Sequence, residues 1–146
     1  MKLYTIGFTK KSASQFFETL RNAGVRRVVD VRLNNVSQLA GFTKKQDLAY
    51  FLEKIDDIRY VHAPLLAPTQ PLLDSYKKRG AKWSEYEHRF LDLIKDRQIE
   101  ASWAPEMRDG DCLLCSEERP DHCHRRLVAE YLAANIDGIR IQHLGI

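Results

Sequence analysis

The chain has 146 residues, of which 44% are hydrophobic and 29% are charged. This composition fits one domain with a buried core and excludes a disordered polymer. The formal charge of +3 permits an acidic partner without requiring one. No apolar stretch approaches the length of a membrane span, and the first residues lack the apolar core of a signal peptide, so we expect a cytoplasmic protein with no membrane partner.

The predicted elements alternate between strands and helices from the start of the chain. Residues 3–6 predict a short buried strand. Ser12 and Gln15 fit a capping box, and Gly24 is placed to end the helix that it begins. Residues 25–31 predict a second strand, so that this unit would be a right-handed parallel βαβ.

The middle of the chain continues this alternation. A second capping box is predicted at 43–46, and a third strand at 58–62. A short helix is predicted over 72–78, and a third capping box at 84–87 begins a helix that reaches about Gln98.

The last third of the chain supplies two more strands and a helix. Residues 112–115 predict a fourth strand, a helix follows Asp121 to about Asn135, and 139–143 predict a last strand. No repeat or linker interrupts the sequence. Residues 1–146 therefore predict a single α/β domain, a three-layer sandwich with a mainly parallel sheet of about five strands flanked by helices.

The reactive side chains concentrate between Cys112 and Arg126, which enclose all three cysteines. A strand that ends and leads into a helix is where open α/β proteins place ligands. The carboxyl ends of parallel strands share one edge of the sheet, so residues from separate stretches should gather beside this segment. The residues expected there are Thr5, Gly7, Asp30, Arg32, Cys115, Glu117, Cys123, His124 and Arg125.

Three segments, in this order and spacing, resemble the domain of unknown function 488 family. They are Thr5-Ile6-Gly7, Asp30-Val31-Arg32, and residues 113–117 with Cys123-His124-Arg125. The resemblance covers nearly the whole chain and implies a compact α/β domain, but no established activity. That family often has His and then Ser after the first Gly; Phe8 and Thr9 stand here, so no acid–base role is expected at position 8.

The first chemical hypothesis is a thiol nucleophile at Cys115 or Cys123. A helix N-terminus with a nearby cation lowers the pKa of a thiol, and His124 or His122 could act as the base. The alternative is that Cys115 is a small buried hydrophobic residue.

The second hypothesis is a metal site made of Cys112, Cys115, Cys123 and His124, which are the ligand types that zinc prefers. However, Cys112 and Cys115 are three residues apart on a predicted strand, so their side chains should lie on opposite faces. We therefore predict no bound metal and no cofactor.

The third hypothesis is an anion site made by Arg32, Arg125, Arg126 and the helix N-terminus, for a phosphate-bearing or nucleotide-like small molecule. The alternative is that Arg125 pairs with Asp30 or Glu117 and holds the strand ends together as a structural clamp. Basic runs near Tyr76 and Trp83 also leave open a non-catalytic nucleic-acid-binding or protein-interaction module. Enzymatic activity and the oligomeric state are left undecided by these patterns.

Overall fold

The computed structural model describes residues 1–35 and 41–145. Within them, five strands form one all-parallel sheet. The strands are β1 (Lys2–Gly7), β2 (Arg27–Asp30), β3 (Arg59–His62), β4 (Asp111–Cys115) and β5 (Arg140–His143). Their order across the sheet is β3-β2-β4-β1-β5, which confirms the predicted α/β class.

Six α-helices cover the sheet in the described part of the chain. They are α1 (Ala13–Ala23), α2 (Lys45–Phe51), α3 (Gln70–Lys77), α4 (Trp83–Asp96), α5 (Ile99–Ser102) and α6 (His124–Asn135). A π-helical turn, Leu52–Asp56, follows α2, and 3₁₀ turns lie at Gly41–Thr43, Pro64–Leu66 and Ala104–Glu106. Within residues 1–35 and 41–145, none of the helices combines the length and the apolar character needed to cross a membrane.

The sheet buries both of its faces, because side chains alternate along each strand. On β4, Cys112 and Leu114 belong to the core that α1 completes, whereas Leu113 and Cys115 belong to the core on the opposite face. Leu127 of α6 packs into that second core. The three layers are therefore helix, sheet and helix, as predicted.

The connections after β1 and β4 leave these adjacent strands on opposite faces of the sheet. Gly7, which ends β1, lies beside Cys115, which ends β4. The chain leaves β1 for α1 on one face and leaves β4 for α6 on the other. Adjacent parallel strands whose connections diverge in this way leave room for a ligand beyond their carboxyl ends. The predicted unit of β1, α1 and β2 is parallel, but β4 lies between its two strands.

The first predicted capping box is confirmed. Ser12 Oγ accepts from the N–H of Gln15 at 3.1 Å, and the N–H of Ser12 donates to Gln15 Oε1 at 2.9 Å. Gly24, with φ of 82°, ends α1. Val25 donates to the carbonyl of Leu20 and so belongs to this helix end, which is why β2 is shorter than the predicted strand.

The other two predicted capping boxes are wrong. The N-cap residues of α2 and α4 are Lys44 and Lys82, and neither makes a side-chain cap bond. Thr43 lies in the preceding 3₁₀ turn, and Ser84 already lies inside α4. A cap that the prediction missed, Thr69, accepts from the N–H of the third following residue, so α3 begins two residues earlier than expected.

Candidate functional site

The carboxyl ends of β1, β2 and β4 bring all nine predicted site residues to one edge of the sheet. In register, Asp30 lies beside Leu114 and His62, and Gly7 lies beside Cys115. Five of the nine line a cavity of about 190 Å³, namely Arg32, Cys115, Glu117, Cys123 and His124. The other four do not line the cavity; they are Thr5, Gly7, Asp30 and Arg125.

Cys115 and His124 are paired at the inner end of this cavity. The Cys115 sulfur lies 3.7 Å from Nδ1 and 3.9 Å from Nε2 of His124. Nε2 also lies 2.7 Å from the carbonyl oxygen of Val31, which can only accept a hydrogen bond. Nε2 therefore carries a proton, and Nδ1 is the ring nitrogen nearer to the thiol.

The two cavity thiols differ in acidity. A hydrogen bond from the Cys123 thiol lowers the pKa of Cys115, and so do the charge of Arg125 and the backbone N–H of Ser116, although burial acts in the opposite direction. Burial and the hydrogen bond to Cys115 raise the pKa of Cys123. Cys123 is the N-cap of α6 and lies outside its first turn. Cys115 is therefore the more acidic of the two cavity thiols.

Arg125 supports the loop that follows β4. Its side chain is fully buried and donates from Nη1 to the carbonyl of Glu117 at 2.6 Å and from Nη2 to that of Glu118 at 3.3 Å. Its Nε has no hydrogen-bond partner among the described residues. Of the two partners predicted for Arg125, Asp30 is wrong, because it pairs with another arginine, whereas Glu117 is contacted through its backbone carbonyl.

That arginine is Arg32. Its Nε and Nη2 donate to the two carboxylate oxygens of Asp30 at 2.9 and 2.8 Å, and Nη2 also donates to the carbonyl of Thr43 at 2.7 Å. The hydroxyl of Tyr60 donates to Asp30 at 2.5 Å. Burial opposes the charge of Arg32, but the hydrogen bonds and charge of Asp30 outweigh it and raise the pKa of Arg32. Among residues 1–35 and 41–145, Nη1 of Arg32 has no hydrogen bond, so Asp30 orients a cation that still has free donors.

Aromatic rings form part of the cavity wall. Trp83 stacks on His122 with ring centroids 5.0 Å apart and on Tyr86 at 5.3 Å. Tyr76 meets Tyr86 at 5.1 Å. The spacing of Trp83 and Tyr86 places both on one face of α4. In the sequence, Tyr76 and Trp83 stood out only as possible partners for nucleic acid, and no pattern pointed to Tyr86.

Lys77 and Glu117 form an ion pair on the cavity lining, each with a partly exposed side chain. Burial opposes the charge of Lys77, but the hydrogen bond with Glu117 raises its pKa. Phe8, the residue that replaces the family's frequent histidine, lies 5.3 Å from the guanidinium carbon of Arg32. Position 8 thus contributes an apolar wall.

Thr5 does not line the cavity; its hydroxyl is 2.6 Å from Nδ1 of His143.

Three groups at the cavity have the chemistry to hold a metal ion: the ligand atoms of Cys115, Cys123 and His124 lie within 4.8 Å of one another. Cys112 belongs to the core on the other face of the sheet, as predicted.

A comparison with family models matches residues 12–132 to Domain of unknown function DUF488. The chain belongs to this family. The match spans most of the 146 residues and confirms the family resemblance; it covers two of the three segments, and Thr5-Ile6-Gly7 lies before it. Searches of curated proteins and of solved structures gave no match. The function of this DUF488 domain therefore has to be argued from the cleft.

Proposed function

We propose that the cleft binds a small planar anion, phosphate-bearing or nucleotide-like, and that Cys115 reacts with it with the help of His124. The observation that carries this proposal is the position of the Cys115 sulfur. It lies 3.7 Å from an imidazole nitrogen at the inner end of an aromatic-walled cavity. An activated nucleophile consists of a thiol, an adjacent base, and a third group that orients the base.

The walls of the cavity suit a flat ligand. Trp83, Tyr86 and Tyr76 offer ring faces or edges on one side, and Phe8 lies on the lining as well. The volume of about 190 Å³ is below the range of about 300–1,000 Å³ typical of sites for drug-sized ligands. The enclosed part of the ligand is accordingly about the size of one ring.

Three features favour negative charge on that ligand. Asp30 binds Nε and Nη2 of Arg32, and Nη1 makes no hydrogen bond within the described residues. Lys77 lines the cavity, and its side chain is partly exposed. Cys123 and His124 are the N-cap and first residue of α6, a helix of 12 residues, so its positive end faces the cavity. Forked guanidinium donors match phosphate and carboxylate oxygens.

The reaction consistent with these groups is displacement at an electrophilic carbon of the ligand. As the S–C bond forms, the Cys115 thiol proton moves to Nδ1 of His124, and the imidazolium then returns a proton to the leaving group. The carbonyl of Val31 fixes the ring through Nε2 during both steps.

Tryptophan fluorescence tests the binding half of this proposal. The chain has two tryptophans, so a Trp103→Phe background leaves Trp83, on the cavity lining, as the only reporter. Titration with nucleoside 5′-monophosphates should give a saturable change. Lys77→Ala should weaken binding by roughly tenfold or more, the effect of losing one charge-assisted hydrogen bond.

Lys78→Ala is the matched control, because Lys78 is the adjacent lysine and its side chain is 74% exposed in a pair with Asp74. This variant should bind like the parent. The absence of any saturable change with nucleotides or inorganic phosphate would refute the proposed ligand class. Salt-sensitive binding of a single-stranded oligonucleotide that Lys77→Ala leaves unchanged would support the nucleic-acid-binding module instead.

A further inference from the structure

We infer that Cys115, Cys123 and His124 form a binding site for one thiophilic metal ion of the Zn²⁺ class. All three residues are buried, and their ligand atoms lie within 4.8 Å of one another. Thiolate and imidazole are the donors that such ions prefer. This inference goes beyond the proposed function, because it describes a second chemical state of the same residues.

The separations fit tetrahedral coordination. Bonds of about 2.3 Å to sulfur and about 2.05 Å to nitrogen place a sulfur and a nitrogen ligand about 3.5 Å apart, and two sulfurs about 3.8 Å apart. The Cys115 sulfur and Nδ1 of His124 are 3.7 Å apart. That pair is at about the spacing that an ion requires, and the Cys123 sulfur lies within 4.8 Å of both atoms.

The surroundings of His124 also match those of a metal ligand. A histidine that binds a metal through one nitrogen nearly always donates its other N–H to a carbonyl or carboxylate. Nε2 of His124 lies 2.7 Å from the carbonyl of Val31, which leaves Nδ1, the nitrogen nearer to Cys115, for the ion.

The charge at the site is compatible with a dication. Two thiolates and one Zn²⁺ sum to zero, so the loaded cluster places no net charge beside the buried guanidinium of Arg125. All three ligands line the cavity, so the fourth coordination position faces it and is open to water or an exogenous ligand.

The expectation of no metal depended on Cys112, whose side chain does lie on the other face of the sheet. The site inferred here does without it. Cys123 and His124, brought beside Cys115 by the loop between β4 and α6, complete the set. Sequence spacing cannot show that approach, because the loop conformation decides it.

Metal binding and nucleophilic reaction exclude one another. The ion uses both sulfurs and the lone pair on Nδ1, so a loaded chain has neither a free Cys115 nor a free base. Zn²⁺ should therefore protect Cys115 and Cys123 from alkylation while leaving Cys112 unaffected.

Cobalt titration of the reduced, chelator-treated full chain tests the site directly. Co²⁺ should bind one ion per chain and show thiolate-to-cobalt charge transfer with the intense visible bands of tetrahedral Co²⁺, and Zn²⁺ should displace it. Cys123→Ser should abolish the charge transfer from that sulfur and weaken binding at least about 100-fold, more than the loss of an outer-shell partner. Cys112→Ser is the matched control and should bind like the parent.

The inference is overturned if the parent chain shows no thiolate-to-cobalt band, or if Cys112→Ser loses the band while Cys123→Ser keeps it. Circular dichroism checks that Cys123→Ser is folded. If it is not, site-resolved alkylation of the parent decides: equal rates for Cys115 with and without Zn²⁺ would also refute the site. The Trp83 titration contains no metal, so failure of either proposal is visible without the other.

Discussion

Gly7 is the position where the backbone of the site leaves no room for a side chain. A Cβ built there would lie 1.6 Å from the carbonyl oxygen of Glu117 and 3.1 Å from Nη1 of Arg125. The loop after β4 therefore crosses directly over the end of β1, and only glycine permits it. The segment Thr5-Ile6-Gly7 carries part of the family resemblance, and this contact explains why its last residue is glycine.

Gly7→Ala should consequently destabilise the fold by about 3 kcal/mol or more, at the upper end of overpacking effects, because the overlap is with backbone. Gly41→Ala is the control, since a Cβ there meets no described atom within 4 Å. Urea unfolding of both variants checks this. A Gly7→Ala protein as stable as Gly41→Ala would show that the loop does not pass over the strand end.

Asp30 is the second residue whose removal should reach the core. It is fully buried and holds Arg32, which is 5% exposed. Asp30→Ala leaves that guanidinium buried without its carboxylate, and the expected loss of unfolding free energy is about 3–5 kcal/mol. The double variant with Arg32→Ala should recover part of the loss.

Thermal unfolding of these variants also distinguishes the Asp30–Arg32 pair from the Asp30–Arg125 pair that the sequence suggested. Arg125→Ala and Asp30→Ala should be nearly additive, because Arg125 donates to backbone carbonyls. Asp74→Ala removes an exposed pair with Lys78 and should change stability by less than about 1 kcal/mol. Strong coupling between Asp30 and Arg125 would contradict the geometry described here.

Among the elements, α1 was the most predictable, because its signals are local. Ser12, Gln15 and Gly24 act through bonds to residues three or four positions away. The starts of α2 and α4 depend on the segments that precede them. Thr43 and Ser84 each have Gln or Glu three residues later, but Thr43 lies in a 3₁₀ turn and Ser84 lies inside α4. A capping box is informative only where the chain is otherwise free to begin a helix.

Ser12→Ala should cost about 1 kcal/mol, since it removes the acceptor for the N–H of Gln15. Lys44→Ala, at an N-cap without a side-chain bond, should have a much smaller effect. Thermal unfolding of the two variants compares them. Equal shifts would mean that the capping bond of α1 contributes no net stability.

The site itself was only partly predictable at this scale. Strand ends located Cys115 and Arg32, because parallel strands must share an edge. The aromatic wall comes from α3 and α4, which reach the cavity through packing between elements. The relative acidity of Cys115 and Cys123 depends on the hydrogen bond between their side chains. Position at the start of a helix, taken alone, would have made Cys123 the more acidic thiol.

At the scale of the whole fold, both edges of the sheet hold a buried ion pair, and the candidate chemistry lies at the carboxyl edge. At the amino end, Arg27 pairs with Asp111 through two hydrogen bonds of 2.8 and 2.7 Å and joins β2 to β4. At the carboxyl end lie the cavity, the thiols and Arg32. The cavity at that edge is enclosed by the chain after β2, the chain after β4, and residues of α3 and α4.

The central claim is that Cys115 is the reactive group of a ligand cavity. Site-resolved alkylation of the native, metal-free protein with iodoacetamide near pH 7, read by mass spectrometry after digestion, tests it most directly. Cys115 should react first, because its pKa is lowered whereas burial raises the pKa of Cys112 and of Cys123. A saturating nucleoside 5′-monophosphate should slow Cys115 alone. Slow and equal modification of all three cysteines, unchanged by nucleotide, would contradict the account.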